Sequence, residues 1–403
     1  MSQVATGWLI YRITGSAWLL GLVGFSGQLP AFFLAPFAGV WIDRWNRLAT
    51  LKVTQLLSMV QSFALAAVVL TNHTSVWNIA LLTMFQGVVN AFDMPARQTF
   101  VVEMIRDRAD LANAIALNSS MVNGSRLIGP SIAGFVIGSV GEGYCFLIDG
   151  FTYLAVIGCL FLMRIDGGST SPAHKNMWAE LKEGWEYVSG FSPIRAILLL
   201  LVATSLFGVP YSILLPVFAS SVLHGGPRVL GFLTAASGLG ALISAISLAM
   251  RKTIVGLGKM ISITAFTFGG GLIAFGLSDS LWLSLPAVFL IGFSMMQLMS
   301  ASNTIMQTIV DEKKRGRVMS FYTMAIIGIM PFGSLLAGAL GNKIGAGQTV
   351  MLGGSICIVT ALWFSKRLRE IRRIVRPVYV ALGILPEVAS GIQAASALQE
   401  PPE

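Results

Sequence analysis

"GVWIDRWNR", residues 39 to 47, closes one long apolar run and opens the next, with Asp43, Arg44 and Arg47 inside five positions. The run before it, 17–42, carries no Asp, Glu, Lys or Arg, and the run after it, 48–71, carries only Lys52. At about 1.5 Å per residue, either run as a helix is long enough to cross about 30 Å of hydrocarbon. The quoted stretch is therefore a charged turn between two membrane helices, with Gly39 allowing a neighbouring helix to come close. Composition alone weighs this equally against a plain charged helix end.

The same alternation extends over the whole chain. Of 403 residues, 55% are hydrophobic and 11% charged, against roughly 25% charged in soluble domains. Apolar runs at 17–42, 48–71, 76–98, 111–140, 144–164, 193–220, 228–250, 260–278, 281–309, 318–342 and 347–365 predict eleven full spans of an all-α integral membrane protein. Gly, Pro, Ser and Thr occur inside the runs, and nothing alternates as barrel strands do. "MSQVATGWLIYRI", at the start, reaches only about 20 Å as a helix and reads as the second half of a span whose beginning is missing. Cys145, Cys159 and Cys357 show no CxxC spacing and read as packing residues, while His73, His174 and His224 fall in polar connections. Neither a metal site nor a cofactor follows.

The net charge of +9 reflects topology rather than nucleic-acid binding. Lys and Arg crowd alternate connections, around Arg44 and Arg47, Arg106 and Arg108, Lys175 and Lys182, Arg251 and Lys259, Lys313 to Arg317, and Lys366 to Arg376. Those elsewhere are Arg12, Arg126, Arg228 and Lys343. By the positive-inside rule the crowded connections and the C-terminus are cytoplasmic, in a multi-pass plasma-membrane protein.

The chain also repeats itself. "LGLV" at 20 recurs as "LGFL" at 230, "QTFV" at 98 as "QTIV" at 307, and "GPSIAG" at 129 as "GSLLAG" at 333, at offsets of 210, 209 and 204. An offset covering six helices returns the chain to the same side, so the two repeats are parallel. The division is 1–165 as the first half, 166–192 as a cytoplasmic linker with the amphipathic stretch "WAELKEGWEYV", 193–365 as the second half and 366–403 as a basic tail.

No phosphate-binding G-x-x-x-x-G-K-[ST] occurs, so the chain does not hydrolyse ATP, and paired catalytic carboxylates are missing. Charges inside spans are the functional candidates, because a charge in hydrocarbon is costly without a cavity or a partner. Arg126 lies near the centre of the fifth span, to meet an anionic substrate or a coupling carboxylate, or simply to hold the half-bundle together. Asp149 lies about 8 Å into the sixth span, where it could carry a proton, and Arg12 is its candidate partner. Asn303 and Gln307 share a face of the tenth span amid a methionine-rich segment that adapts to apolar ligands, although core filling is the commoner use. In "SRLIGPSIAG", Gly129 and Pro130 permit a kink and Gly134 a close helix contact. In "NAFDMPARQTF", Asp93, about 26 Å below Val76, and Arg97 are four apart and can pair, and Pro95 kinks the helix end. With Asp43, Arg44 and Arg47 they make a candidate cytoplasmic gate latch.

Gly-x-x-x-Asp-Arg-x-x-Arg between the second and third spans, in a chain of two six-helix repeats, resembles the signature of the major facilitator superfamily. "GWLIYRITGS" at 7, "AFDMPARQ" at 91, "LANAIALNSS" at 111, "RLIGPSIAG" at 126 and "LLPVFA" at 214 make it similar to the enterobactin-exporter-like, or transmembrane secretion effector, branch. The resemblance covers nearly the whole chain and implies the major facilitator fold, with the first transmembrane helix only partly present. It also implies that the acid of the signature braces a cytoplasmic gate, and that the Gly-Pro segment is of the kind exporters carry. Departures are Asn46 for the usual Gly, Ser125 and Ala133 for glycines of the Gly-Pro segment, and Thr83 where many proton antiporters have Arg before Gln86–Gly87.

These readings converge on a monomeric secondary transporter, not an enzyme. It exports a small amphipathic molecule, siderophore-like or drug-like, by alternating access, with proton coupling the expected energy source and no cofactor. An importer or lysophospholipid flippase of the same fold, or a non-transporting receptor or scaffold, is the alternative. A cavity at the midplane would favour transport, and a packed midplane the scaffold.

Overall fold

The computed structural model describes residues 1–42, 45–104, 111–163, 177–251, 253–310 and 314–381. The first half contains α1 (Ser2–Thr14), α2 (Ala17–Ile42), α3 (Arg47–Leu70), α4 (Val76–Glu103), α5 (Leu111–Val140) and α6 (Glu142–Leu162). The linker helix α7 (Met177–Gly190) precedes α8 (Ser192–Val222), α9 (Pro227–Ala249), α10 (Leu257–Gly276), α11 (Leu281–Ile309), α12 (Arg315–Ile344) and α13 (Ala346–Ala381). Ten of these helices are long and apolar enough to cross a membrane, and α5 contributes a further apolar stretch at Leu127–Val140. Among the described residues all eleven expected spans are helical over nearly their whole length. Two run past their expected ends by more than a turn: α4 continues beyond 98 to Glu103, and α13 beyond 365 to Ala381.

Local chemistry sets the helix ends. Gly15, at φ 60°, closes α1, its N–H donating to the Tyr11 carbonyl, in the left-handed conformation glycine adopts without strain. At the start of α3, the Asn46 side chain accepts a 3.0 Å bond from the Ala49 N–H. The residue that departs from the family glycine is thus the helix cap.

Within the first half α2 packs on α4, and α3 on α4 and α6; within the second, α11 packs on α9 and α10, and α10 on α13. Across the halves the broad contacts are α2 with α12 and α5 with α9. Each is made through a pair of glycines. A β-carbon on Gly134 would lie 2.7 Å from the Gly231 Cα, and one on Gly21 would lie 2.8 Å from the Gly338 Cα. Gly134 therefore provides the close contact its place in "GPSIAG" suggested. These glycines sit toward the helix ends opposite the Lys- and Arg-rich connections, here the basic end. The linker helix docks at the basic end against the start of α12: Glu183 pairs with Arg317, and the Trp185 and Phe321 rings lie 6.1 Å apart.

The two spans α8 and α12 are interrupted. Each contains π-helical turns, at Thr204–Gly208 and Phe218–Val222 in α8 and at Met324–Gly328 in α12. Pro210 and Pro331 follow two of these turns. Irregular backbone at membrane depth is tolerated where it borders a cavity, and α8 and α12 do border one.

Candidate functional site

Between the halves lies a cavity of about 450 Å³, walled by α1–α5 on one side and by α8, α9 and α12 on the other. Its polar groups are amides and hydroxyls: Gln3 of α1, Gln28 of α2, Gln61 of α3, Thr83, Gln86 and Asn90 of α4, and Thr234 and Ser334 across the divide. Among the described residues every lining side chain is neutral. Gln28 Nε2 donates to the Gly24 carbonyl at 3.3 Å and to Ser334 Oγ at 3.5 Å, so one amide touches both halves. Gln61 is buried and donates to the Leu82 carbonyl. Gln86 donates to Ser58 and to Asn90, both at 3.0 Å, while its buried Oε1 has no partner among the described residues. Such amides offer donors and acceptors without a charge, and suit a polar group that carries no formal charge, since the apolar remainder of the wall would not tolerate one. Pro130 lines the cavity on α5, as do Pro210 and Pro216 on α8, so the mid-span prolines of these helices face its interior.

The halves meet at the end opposite the basic one. Tyr11 and Ser221 share a 2.6 Å hydrogen bond between α1 and α8. Arg228 of α9 lies 5.7 Å over the Phe135 ring of α5. Ser16 reaches Asn342 at 3.4 Å. These contacts, with the two glycine pairs, close that end.

The residues expected from the sequence fall into separate places. Arg12 bonds Glu142, with Nε 2.7 Å from Oε1, and not Asp149. The reason is register: the C-terminal turn of α1 meets the first turn of α6, whereas Asp149 lies two turns further along α6, beside the start of α1. There Asp149 accepts from Ser62 Oγ at 3.2 Å and lies 4.0 Å from the Met1 amine. Glu142, nearly buried, was not singled out from the sequence, because a carboxylate in a first helical turn reads as an ordinary end. Asn303 and Gln307 bond each other on α11, away from the cavity lining. Of the methionines near them Met306 is fully buried, Met295 and Met299 pack on the core, and Met330 reaches the cavity. Most of this segment is therefore core filling.

Asp93 and Arg97 do pair, with Nη2 2.9 Å from Oδ2. Asp93 also accepts from Thr54 Oγ1 at 2.8 Å and from Gln55 Nε2 at 2.7 Å, which ties α4 to α3. Pro95 lies inside α4 rather than at its end, since the helix continues to Glu103. Arg47 opens α3. Asp43, Arg44 and the surroundings of Gly39 lie outside the described residues. The same is true of the Arg126 side chain, although its place on α5 is one turn before Pro130. Gly129 has open space around it, unlike Gly134.

Two parallel helical halves around a shared central cavity define a transporter of the major facilitator fold. Residues 1–376 match the family described as transmembrane secretion effector, and the chain belongs to that family. It is 25% identical, over 91% of its length and 92% of the relative's, to the staphyloferrin A transporter of Staphylococcus aureus. It is 25% identical to the multidrug efflux pump Tap of Mycolicibacterium fortuitum, over 86% of this chain and 87% of that one. Among solved structures, the nucleoside transporter NupG superposes with a TM-score of 0.66 at 14% identity, covering 91% of this chain and 96% of the other. Members of this family are membrane transporters and not enzymes.

Proposed function

We propose that the chain exports a small amphipathic molecule, drug-like or siderophore-like, by alternating access driven by a proton gradient. The basic end is cytoplasmic, the halves are 1–165 and 193–365 joined by a linker at 166–192, and the working unit is a monomer. The single observation that carries this is the neutral, amide-lined cavity walled by both halves. A scaffold has no use for such a cavity. With that sidedness, the contacts at Tyr11, Gly21 and Gly134 seal the outer end, which is the inward-facing stage of the cycle.

Gln28, Gln61, Gln86 and Asn90 hold the substrate's polar part. Met330 and the prolines of α5 and α8 take its apolar part. Arg126 and Asp149 remain proposed for the substrate and proton pathway. Asp43, Arg44, Arg47, Asp93 and Arg97 form the cytoplasmic latch. The similarity to a siderophore transporter and to a multidrug efflux pump supports both substrate types.

The test is accumulation of radiolabelled chloramphenicol, erythromycin and ethidium in cells with and without the chain. Lower accumulation of at least one compound, abolished by a proton uncoupler, is expected. Equal accumulation of all three, together with no uptake of them into inverted vesicles, overturns the proposal.

A further inference from the structure

A second polar system runs through the first half, beside the cavity. On α3, Thr54, Ser58 and Ser62 follow one another at intervals of four, a single helical face, and all three are buried. Each meets a different partner. Ser62 donates to Asp149 of α6 at 3.2 Å. Ser58 accepts from Gln86 of α4 at 3.0 Å and lies beside the Tyr153 hydroxyl of α6. Thr54, with Gln55, donates to Asp93 of α4. Tyr153 is one turn along α6 from Asp149 and within electrostatic range of both Asp149 and Asp93. Two carboxylates thus stand at the ends of one column of hydroxyls and amides.

Buried polar groups are stable when each finds a partner, and a fixed structural network would satisfy that by itself. Three features point further. The ends are ionisable while the middle is neutral. The Asp149 end lies near the outer third of α6, whereas Asp93 lies beside Arg97, whose side chain is 56% exposed at the basic end. Gln86 belongs both to the column, through Ser58, and to the cavity wall, with an acceptor left open.

We propose that this column is a proton path separate from the substrate cavity, with Asp149 as entry, Tyr153 and Ser58 as relay, Asp93 as exit, and Gln86 as the residue joining path to cavity. It rests on the export reading above. The transfer is balanced: Asp149 takes a proton from the outer side and passes it to the Tyr153 oxygen as that hydroxyl gives its own proton to Ser58. The Ser58 hydroxyl proton passes to a water, that water gives a proton to the Thr54 oxygen, and Thr54 gives its own to the Asp93 carboxylate, which releases one proton at the basic end. Between the levels of Ser58 and Thr54 lies one helical turn, about 6 Å, which one water spans. A ligand donor bonded to Gln86 Oε1 pulls the amide from Ser58 and so gates the relay. The charged and titratable groups facing Asp149 are the Met1 amine from α1 and Cys145 and Tyr153 from α6, with the Glu142–Arg12 pair two turns away. Those near Asp93 are Arg97 and Tyr153.

The test uses the full chain in proteoliposomes, with chloramphenicol, erythromycin and ethidium as probes and either an imposed pH difference or probe exchange without a gradient. Tyr153→Phe removes one oxygen, and Asp149→Asn and Asp93→Asn remove the terminal carboxyls. Each is expected to lower pH-driven transport at least tenfold, and Tyr153→Phe, which belongs neither to the latch nor to the cavity wall, to leave probe exchange and binding within twofold. Asp149→Glu restores transport with a displaced pH profile. Infrared difference spectra after a pH jump lose one carboxyl band in each Asn variant and neither in Tyr153→Phe. Wild-type transport that responds to the pH difference equally in all three variants overturns the path and leaves the export reading standing. Wild-type liposomes that move none of the probes under any gradient overturn the export reading and the path with it.

Discussion

Gly134 of α5 and Gly231 of α9 meet so closely that a β-carbon on either would lie within 3.0 Å of the other's Cα. Gly338 and Gly21 repeat the meeting between α12 and α2. The repeated strings explain why there are two. "LGLV" and "LGFL" supply Gly21 and Gly231, and "GPSIAG" and "GSLLAG" supply Gly134 and Gly338. One ancestral helix crossing is thus used twice, each time with its members drawn from opposite halves. Small residues at such crossings let backbones approach and gain dispersion contacts that lipid would otherwise take.

Enlarging these glycines should open the sealed end. Gly134→Leu places its side chain against the Gly231 backbone, at a cost of about 1–3 kcal/mol to the closed arrangement. In a background lacking the native cysteines, labelling of Ala17→Cys, 5% exposed at the sealed end, by a membrane-impermeant maleimide should rise at least fivefold. The same change at Gly129, which has open space around it, should alter labelling little. Equal labelling in both variants would show that the crossing does not hold the end shut.

Tyr11→Phe removes the 2.6 Å bond to Ser221 between the halves. A net loss of about 0.5–1.5 kcal/mol is expected from one such bond. Labelling of Ala17→Cys at the sealed end, which leaves Ser221 in place, should therefore rise by a smaller factor than with Gly134→Leu, and thermal unfolding should stay nearly unchanged.

Arg12→Ala should be more damaging than Glu142→Gln. The arginine is 53% exposed, but its partner is 7% exposed, so removing the arginine strands a nearly buried carboxylate. A loss of about 1–3 kcal/mol is expected for a buried polar group left without its partner. Combining Arg12→Ala with Glu142→Gln should recover most of the midpoint in a detergent melting curve, and no recovery would contradict this account.

Arg97→Ala leaves Asp93 still held by Thr54 and Gln55. Probe binding should stay within twofold while the exchange between inward- and outward-facing states shifts, seen as changed cysteine labelling at both ends. Lost binding with normal exchange would move Arg97 from the latch to the substrate site.

Gln86→Leu removes donors to Ser58 and Asn90 and takes an amide from the cavity wall. It should weaken chloramphenicol binding about tenfold, by the loss of one buried polar contact worth about 1.4 kcal/mol. Asn303→Leu, outside the cavity lining, should leave that binding unchanged.

Several features of the site could be read before folding was considered. The Asp93–Arg97 pair follows from helical spacing, and Gly134 from its small-residue string. The buried face of α3 was also present in "TQLLSMVQS", residues 54 to 62, where Thr54, Ser58 and Ser62 keep a period of four. It does not stand out in the sequence, because single hydroxyls and amides cost little inside a membrane span, whereas charges cost much. Charge therefore marks Arg126 and Asp149 in the sequence, whereas Gln28, Gln61 and Asn90 of the cavity wall carry no such mark. Arg12 was given the wrong partner, because depth along a span is one coordinate and says nothing about which neighbouring helix meets which turn.

What the sequence determined by itself was the membrane, the number of spans, the duplication and the sidedness expected from Lys and Arg. The membrane, the spans and the charge asymmetry are properties of one helix or connection at a time, set by the cost of exposing charge or backbone to hydrocarbon, and the duplication is read directly from the repeated strings. Pairing was decided only by the tertiary structure. It put Glu142 under Arg12, Thr54 and Gln55 against Asp93, and four glutamines from four helices around one cavity. A polar side chain in a span can be satisfied by several neighbours at similar cost, and the choice among them belongs to the packing of whole helices.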